Sequence, residues 1–252
     1  MLVCLQCSSL PHLVERAFRD WEARRHAKAT QPELKPRASQ AFTVALSREA
    51  GTLGSLVALE VGRLLGWPVY DQELLALIAH DMRLRTSLLE SVDERQQSWL
   101  LETAEAFQGD RGPWVTESAY VHHLVKAVLA LGVHGECVLV GRGAPFILPA
   151  KTTLRVRLVG PEQDRIAELS RTLGISAHEA ARKVKTLDRE RNAFVKDHFL
   201  KDPANPLHYD LVLNAARLPI AAQAALIVET LRHLQARAAC EETANPPGKA
   251  LA

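Results

Sequence analysis

The chain has 252 residues, of which 47% are hydrophobic and 24% charged, and its formal net charge is +2. This composition is typical of a soluble globular protein with a substantial core, and a charge so near neutrality does not predict binding to nucleic acid. The sequence contains no apolar run near the roughly 18 residues of a membrane span and no convincing signal peptide. We therefore expect a cytoplasmic protein with no membrane partner.

Residues 1–40 are predicted to form an N-terminal helical appendage, with a helix over 11–27 and a linker before the main domain. A helix packed on the domain or on a second copy is favoured over a regulatory or nucleic-acid-binding arm, so both a monomer and a homodimer are compatible with the sequence. Cys4 and Cys7 form one C-x-x-C pair. Because no second pair follows, two unrelated thiols are a better interpretation than a metal site.

The predicted domain, 41–236, begins with the pattern strand, glycine-bearing loop, helix, strand. An apolar run at 42–46 leads through a loop into a helical pattern at 57–65, which ends at Gly66, and a second short strand at 69–70 precedes Asp71. This is the layout of a phosphate-binding βαβ unit, in which loop amides and the N-terminus of a helix attract anions.

The loop departs from the P-loop pattern G-x-x-x-x-G-K-[ST]. Laid on residues 48–55, the pattern meets Arg48 and Leu53 where it has glycines and Gly54 where it has lysine, and only Ser55 is as expected. A leucine does not easily adopt a positive φ or allow the backbone to approach a phosphate closely, so Leu53 is expected to disfavour such a cradle.

Helical patterns at 73–82 and 87–107, followed by a loop at 109–113, predict a helical insertion that is either a substrate-binding flap or padding of the sheet. A helix at 115–131 precedes a strand at 136–140, which ends in Gly141-Arg142-Gly143. Ligands of open α/β sheets gather at the carboxyl ends of strands, where a guanidinium can grip a phosphate. Arg142 is therefore a candidate phosphate ligand, with a surface turn as the competing interpretation.

The remaining pattern is a strand at 154–159, a helix at 162–173, a capping box at Ser176 and Glu179, a strand at 209–214 and a helix at 220–234. The helix that begins at the capping box carries many charges, among them Asp188, Arg189 and Arg191. Such a helix is either a solvated surface or a mobile cationic lid over a triphosphate. From residue 237 the composition predicts a disordered tail.

Alternating strands and helices predict an α/β fold with a parallel five-stranded sheet, right-handed crossovers and helices on both faces. The placed motifs resemble those of the cytidylate kinase-like family of P-loop nucleoside monophosphate kinases over roughly residues 42–231. The resemblance rests on the following segments: Ser47-Arg48-Glu49 with Gly51 and Gly54, Pro68 to Leu74, Val140 to Ala144, Asp188 to Arg191, and Tyr209 to Asn214.

The resemblance implies a three-layer P-loop kinase fold with a helical insertion and a lid, and transfer of the ATP γ-phosphoryl group to a nucleotide substrate such as CMP or dCMP, with Mg²⁺. On this basis, the candidate ligands of the donor are Arg48, Gly51, Thr52, Leu53, Gly54 and Ser55, with Ser55 also at the place of a magnesium-binding hydroxyl. The candidate catalytic residues are Arg142 on the acceptor phosphate, Arg189 and Arg191 on the γ-phosphoryl group, and Asp71 on the acceptor or the magnesium shell. Asp188 either holds the ribose or fixes the lid.

Two other functions stay open at the level of the sequence. The lysine-free loop and Leu53 favour a catalytically impaired nucleotide-binding or scaffold protein with a kinase fold. A small-molecule kinase with a non-nucleotide acceptor is the other alternative, because P-loop kinases share donors and differ in their flaps.

Overall fold

The computed structural model describes residues 41–72, 75, 78 and 115–244. The predicted N-terminal appendage with its C-x-x-C pair, the helix at 87–107, the loop at 109–113 and the last eight residues lie outside this part of the chain. Of the helix predicted at 73–82, the described positions Leu75 and Ile78 are helical and fully buried.

Five parallel strands form the sheet, as predicted. They are β1 (Thr43–Arg48), β2 (Val69–Tyr70), β3 (Val138–Val140), β4 (Thr153–Val159) and β5 (Leu211–Asn214). Their spatial order is β2-β3-β1-β4-β5, with every neighbouring pair parallel. The central strand β1 therefore lies between β3 and β4, and the carboxyl ends of these three strands share one edge of the sheet.

The helices that cover the sheet are α1 (Gly54–Leu65), α2 (Val115–His134), the short α3 (Ala144–Ile147), α4 (Glu162–Leu173), α5 (Ala177–Phe199) and α6 (Ile220–Ala244). Single 3₁₀ turns occur at Ala150–Thr152 and Pro206–His208. Two predicted helix ends are confirmed, because Gly66 and Gly174 close α1 and α4 in the left-handed conformation that glycine adopts without strain. The predicted capping box of Ser176 and Glu179 is also present at the start of α5.

The alternation of side chains along β1 accounts for a core on one face of the sheet. Phe42, Val44 and Leu46 belong to one buried cluster with residues of α1 and α6, including Val57 and Ile227. The intervening residues of β1 must point to the opposite face, since successive strand residues alternate. None of the described helices is both long and apolar enough to cross a membrane.

Several boundaries differ from the prediction: β3 and β5 begin two residues later than predicted, and α2 ends three residues later. Two further differences have a visible structural cause. β1 continues through Ser47 to Arg48, because these residues keep pairing with β4 beyond the apolar run. The predicted start of the disordered tail at 237 is wrong for the described residues, since α6 continues to Ala244. Alanine and glutamate favour helix there, and Arg237 bonds Glu241 one turn away at 2.8 Å.

Candidate functional site

The loop after β1 enters α1 through a residue that the sequence analysis judged unsuitable. Leu53 has φ 54° and ψ 27°, so the expectation that it avoids a positive φ is wrong. Its carbonyl accepts hydrogen bonds from the amides of Leu56 at 2.9 Å and Val57 at 3.1 Å, which begin the helix. Hydrogen bonding at the helix start therefore outweighs the roughly 1–2 kcal/mol cost of the left-handed conformation.

Glycine is required at residue 51, where φ is 82°. A Cβ atom at this position would collide with the backbone carbonyl of Arg165 in α4. Gly51 thus allows the loop to pack closely against α4.

Arg165 is the centre of this packing, and its side chain is only 11% exposed. Its Nη1 donates to the carbonyl of Ala50 at 3.0 Å and to Asp188 Oδ2 at 2.6 Å, while Nε donates to the carbonyl of Gly160 at 2.9 Å. The other oxygen of Asp188 accepts from the Ala50 amide at 2.7 Å. Asp188 thus joins α5 to the loop.

A second arginine lies beneath the loop. Arg157, in β4, donates to Ser47 Oγ at 3.0 Å and lies 3.7 Å from Glu49 Oε1. Glu49 also accepts from the Gly160 amide at 3.1 Å and lies 3.4 Å from Arg165 Nε. Glu49 therefore links both buried arginines, and the sequence analysis assigned a role to neither of them.

A cavity of about 210 Å³ opens beside the loop, at the carboxyl ends of β1, β3 and β4 and under α5. Four guanidinium groups line it, those of Arg48, Arg142, Arg157 and Arg191. The predicted grouping of Arg142 with Arg191 is therefore present in the structure. Phe146 and Phe194 contribute aromatic walls.

Arg48 carries a charge that the described protein does not neutralise directly. Burial, together with repulsion from Arg191 and Arg142, lowers its pKa to about 10, against an opposing attraction from Asp71. Its guanidinium forms no hydrogen bond or ion pair with any other described residue. Burial also lowers the pKa of Arg191, whose Nη1 donates to the carbonyl of Arg48 at 3.4 Å. An anion entering the cavity would relieve this repulsion.

Arg142 is held in an uncommon backbone conformation, with φ 49°. Its guanidinium carbon lies 5.5 Å from the ring centre of Phe194 and 5.9 Å from that of Tyr120. Its Nε is buried and has no hydrogen-bond partner among the described residues. Because a buried unpaired donor is costly, such a group at a cavity is a signal of a ligand contact.

A second cavity, of about 450 Å³, lies on the other side of the loop. Its apolar wall includes Leu53 and the segment between β5 and α6, and its polar residues include Arg165, Arg171 and Gln223. Sequence reasoning missed this cavity, since α4 and the segment after β5 meet the loop only in the folded chain.

Four predicted site residues line neither cavity, namely Gly54, Ser55, Asp71 and Arg189. Arg189 and Ser55 are exposed and line neither of them. α5 brings Arg191 inward, and a residue two positions away lies about 200° around a helix, which explains why Arg189 faces elsewhere. Asp71 lines neither cavity but is close enough to influence the pKa of Arg48, and its neighbour Gln72 lines the first cavity.

The residues present fit a polyphosphate donor in part. The amides of residues 51–55 donate to no acceptor within the described part of the chain, and they stand at the start of α1, where anions are favoured. The amide of Ala50 is already taken by Asp188. For Mg²⁺, the described residues contain no cluster of three His, Cys, Asp or Glu, but kinase magnesium needs only one or two carboxylates beside the substrate phosphates.

A solved structure shares the fold, and two further solved structures show a weaker likeness. An uncharacterized protein from Eubacterium ventriosum ATCC 27560 aligns with a TM-score of 0.61 at 17% identity, over 77% of this chain and 99% of its own. A gluconokinase from Sinorhizobium meliloti 1021 aligns with a TM-score of 0.41 at 13% identity, over 80% and 98%. A shikimate kinase from Bacteroides thetaiotaomicron gives 0.41 and 15%, over 77% and 97%. None of the curated proteins matches the sequence.

The sequence matches the model of the cytidylate kinase-like family over residues 43–217. This range begins at the first residue of β1 and ends just beyond β5, so it contains all five strands, the loop and the whole lining of the first cavity. The second cavity is also lined by Leu218 to Ile220 and Gln223, beyond this range. The match confirms the resemblance that the motifs indicated: the chain belongs to the cytidylate kinase-like family.

Proposed function

We propose that the protein is a nucleotide kinase that transfers the γ-phosphoryl group of ATP to a nucleoside monophosphate such as CMP or dCMP. One observation carries the proposal: the loop between β1 and α1 separates two cavities, one lined by four arginines and one that combines an apolar wall with polar and charged side chains. Family membership supports phosphoryl transfer in general, and the geometry around the loop supports these substrates.

The first cavity suits the acceptor. Arg142 and Arg48 present charge without a described carboxylate partner, which favours an acceptor that already carries a phosphate over a neutral small molecule. The rings of Phe146 and Phe194 offer surfaces on which a base could stack. This combination of charge and aromatic surface matches a nucleoside monophosphate.

The second cavity suits the base of the donor. Its apolar wall offers a surface for a small aromatic ligand, and the polar and charged side chains beside that wall offer partners for the ligand's polar edge. Leu53 and Thr52 line it, so a donor placed here would lead its phosphates past the amides of the loop.

Bound magnesium would neutralise charge on the donor phosphates, as in other kinases. Asp71 is the candidate for its shell, and Ser55, although exposed, stays a candidate at the start of α1. The chain itself positions the acceptor through Arg142 and keeps cationic charge beside the transferring group through Arg191. Such positioning and charge stabilisation supply most of the catalysis in this class of reaction.

The test is ADP release from ATP and Mg²⁺ with CMP, dCMP, UMP and AMP, and with cytidine as the matched acceptor that lacks a phosphate. We expect turnover with CMP or dCMP and none with cytidine. Equal turnover with cytidine would contradict the role of the arginines, and absence of turnover with every monophosphate would overturn the proposed function.

A nucleotide-binding protein without turnover is the second candidate, and one contact favours it. Asp188 occupies the Ala50 amide at 2.7 Å, so a protein carboxylate already holds one amide of a loop that also lacks lysine. Stabilisation by ATP of about 2.7 kcal/mol at 100 times the dissociation constant, without ADP release, would support this candidate. Release of ADP in step with product would exclude it.

A further inference from the structure

Two positions of the loop differ from the P-loop pattern in opposite ways. Where the pattern has its first glycine the chain has the cationic Arg48, and where the pattern has lysine the chain has Gly54. A cation lost at one position of the motif is thus matched by a cation gained six residues earlier.

In the folded protein these two positions share one space. A Cβ atom built on Gly54 would lie 2.7 Å from Cδ of Arg48 and 3.0 Å from its Cβ, and its three nearest atoms all belong to Arg48. The backbone of Gly54 is not in the positive-φ region. The side chain of Arg48 is therefore the nearest obstacle to a side chain at residue 54.

The guanidinium of Arg48 borders the first cavity, while the stem of its side chain packs against the residue that begins α1. Its Nη1 is 2.5 Å from where a Cβ on Gly141 would be, at the end of β3, and it lines the cavity that contains Arg142. A donor whose phosphates pass the loop amides, as proposed above, would bring its γ-phosphoryl group to this cation at the edge of the acceptor cavity.

We propose that Arg48 is a catalytic residue that replaces the P-loop lysine, reaching the transferring phosphoryl group across Gly54; this inference rests on the proposed function. An acceptor phosphate oxygen forms the new bond to the γ-phosphorus, while the bond to the bridging oxygen breaks and its electron pair leaves on ADP. Arg48 donates hydrogen bonds to the charged oxygens and gives up no proton, so the reaction needs no further reactant. In this arrangement, Arg191 contributes a second positive charge beside Arg48.

The test is an exchange of the two residues. Arg48→Gly should lower kcat by about 10³-fold or more, the scale on which one arginine acts on a transferring phosphoryl group. Gly54→Lys alone should lower Tm, because its side chain meets Arg48. The double variant R48G/G54K, which restores both pattern residues, should have a kcat at least about tenfold higher than that of R48G and a Tm higher than that of G54K.

Arg182→Ala is the matched arginine control. Arg182 is exposed on α5, and its replacement should leave kcat and Tm unchanged.

Binding of inorganic tripolyphosphate separates failure of this inference from failure of the proposed function. If the wild-type chain shows no turnover, the proposed function fails, and tripolyphosphate affinity alone decides the role of Arg48. We expect R48G to lose about tenfold or more in affinity, the range of one charge-assisted contact, and the double variant to recover it. Should the double variant not fold, Arg48→Met, which keeps the stem over Gly54 and removes the charge, must show the same loss.

Two outcomes would overturn the inference. One is an R48G or R48M variant whose kcat and tripolyphosphate affinity stay within about threefold of wild type, a difference under about 0.7 kcal/mol. The other is a folded R48G/G54K variant that performs no better than R48G, since the lysine would then occupy the space without replacing the function.

Discussion

Two sets of buried arginines meet at the loop between β1 and α1, and they differ in how their charge is balanced. Arg157 and Arg165 lie within 4 Å of carboxylate oxygens of Glu49, and Arg165 also pairs with Asp188. Arg48 and Arg142, on the cavity side, form no such pair among the described residues. Both sets are largely removed from water, so the difference lies in their partners.

This difference distinguishes the arginines that hold the loop in place from those that are proposed to bind ligands. A buried guanidinium with carboxylate and carbonyl partners fixes the backbone around it, and removing it leaves unpaired charge. A buried guanidinium without such partners carries a desolvation cost that an incoming anion can offset. The first set is therefore expected to determine stability, and the second to determine ligand binding.

The largest expected effect is that of Arg165→Ala on stability. The change leaves Asp188 and Glu49 without their nearest cation and the carbonyls of Ala50 and Gly160 without a donor. We expect the free energy of unfolding to fall by about 3 kcal/mol, the lower end of the range for breaking a buried pair, as measured by urea denaturation.

Arg171→Ala on the same helix is the matched control. Its side chain is 73% exposed and pairs with Glu168, and surface pairs of this kind contribute about 0–1 kcal/mol. A loss below about 1 kcal/mol for Arg165→Ala would mean that the partnered arginines do not hold the loop, and the comparison would fail.

Much of the fold could be predicted from the sequence because its signals are local. The apolar strands, the glycines that end α1 and α4, and the capping box of α5 each depend on a few adjacent residues. The position of Arg142 after a buried strand was enough to predict its place at the carboxyl edge of the sheet, where the structure has it.

The rest depends on contacts between distant segments. In sequence, Arg165 resembles any charged residue in the first turn of a helix, and only the approach of Gly51 and Asp188 gives it its role. Leu53 adopts a positive φ because of hydrogen bonds that no propensity scale contains. The different directions of Arg189 and Arg191 could have been predicted, since residues two apart on a helix point about 200° apart around its axis.

Arg142→Ala should act on ligand binding and leave stability nearly unchanged. Its Nε has no described partner to lose, whereas an acceptor phosphate would lose a charge-assisted contact of about 1.5–3 kcal/mol. We expect kcat/KM for the monophosphate acceptor to fall by about 10- to 100-fold, with a Tm close to that of wild type. A large loss of Tm would instead place Arg142 with the partnered, structural arginines.

Arg48→Met should change stability by less than Arg165→Ala does, and in the opposite direction. Methionine keeps an apolar stem over Gly54 and removes a guanidinium whose pKa burial and Arg191 lower to about 10. Without ligand, we expect the free energy of unfolding to rise by about 1 kcal/mol, as when buried charge is replaced by packed apolar groups. The sign follows from the pKa: a base whose pKa is lower in the folded state destabilises that state while it stays protonated, so its removal is favourable at neutral pH.

With tripolyphosphate present, the wild type should become the more stable of the two proteins, because only the wild type gains the anion contact. Urea denaturation of both proteins with and without the anion measures both parts, and a variant less stable than wild type in the absence of anion would show that Arg48 belongs with the structural arginines after all.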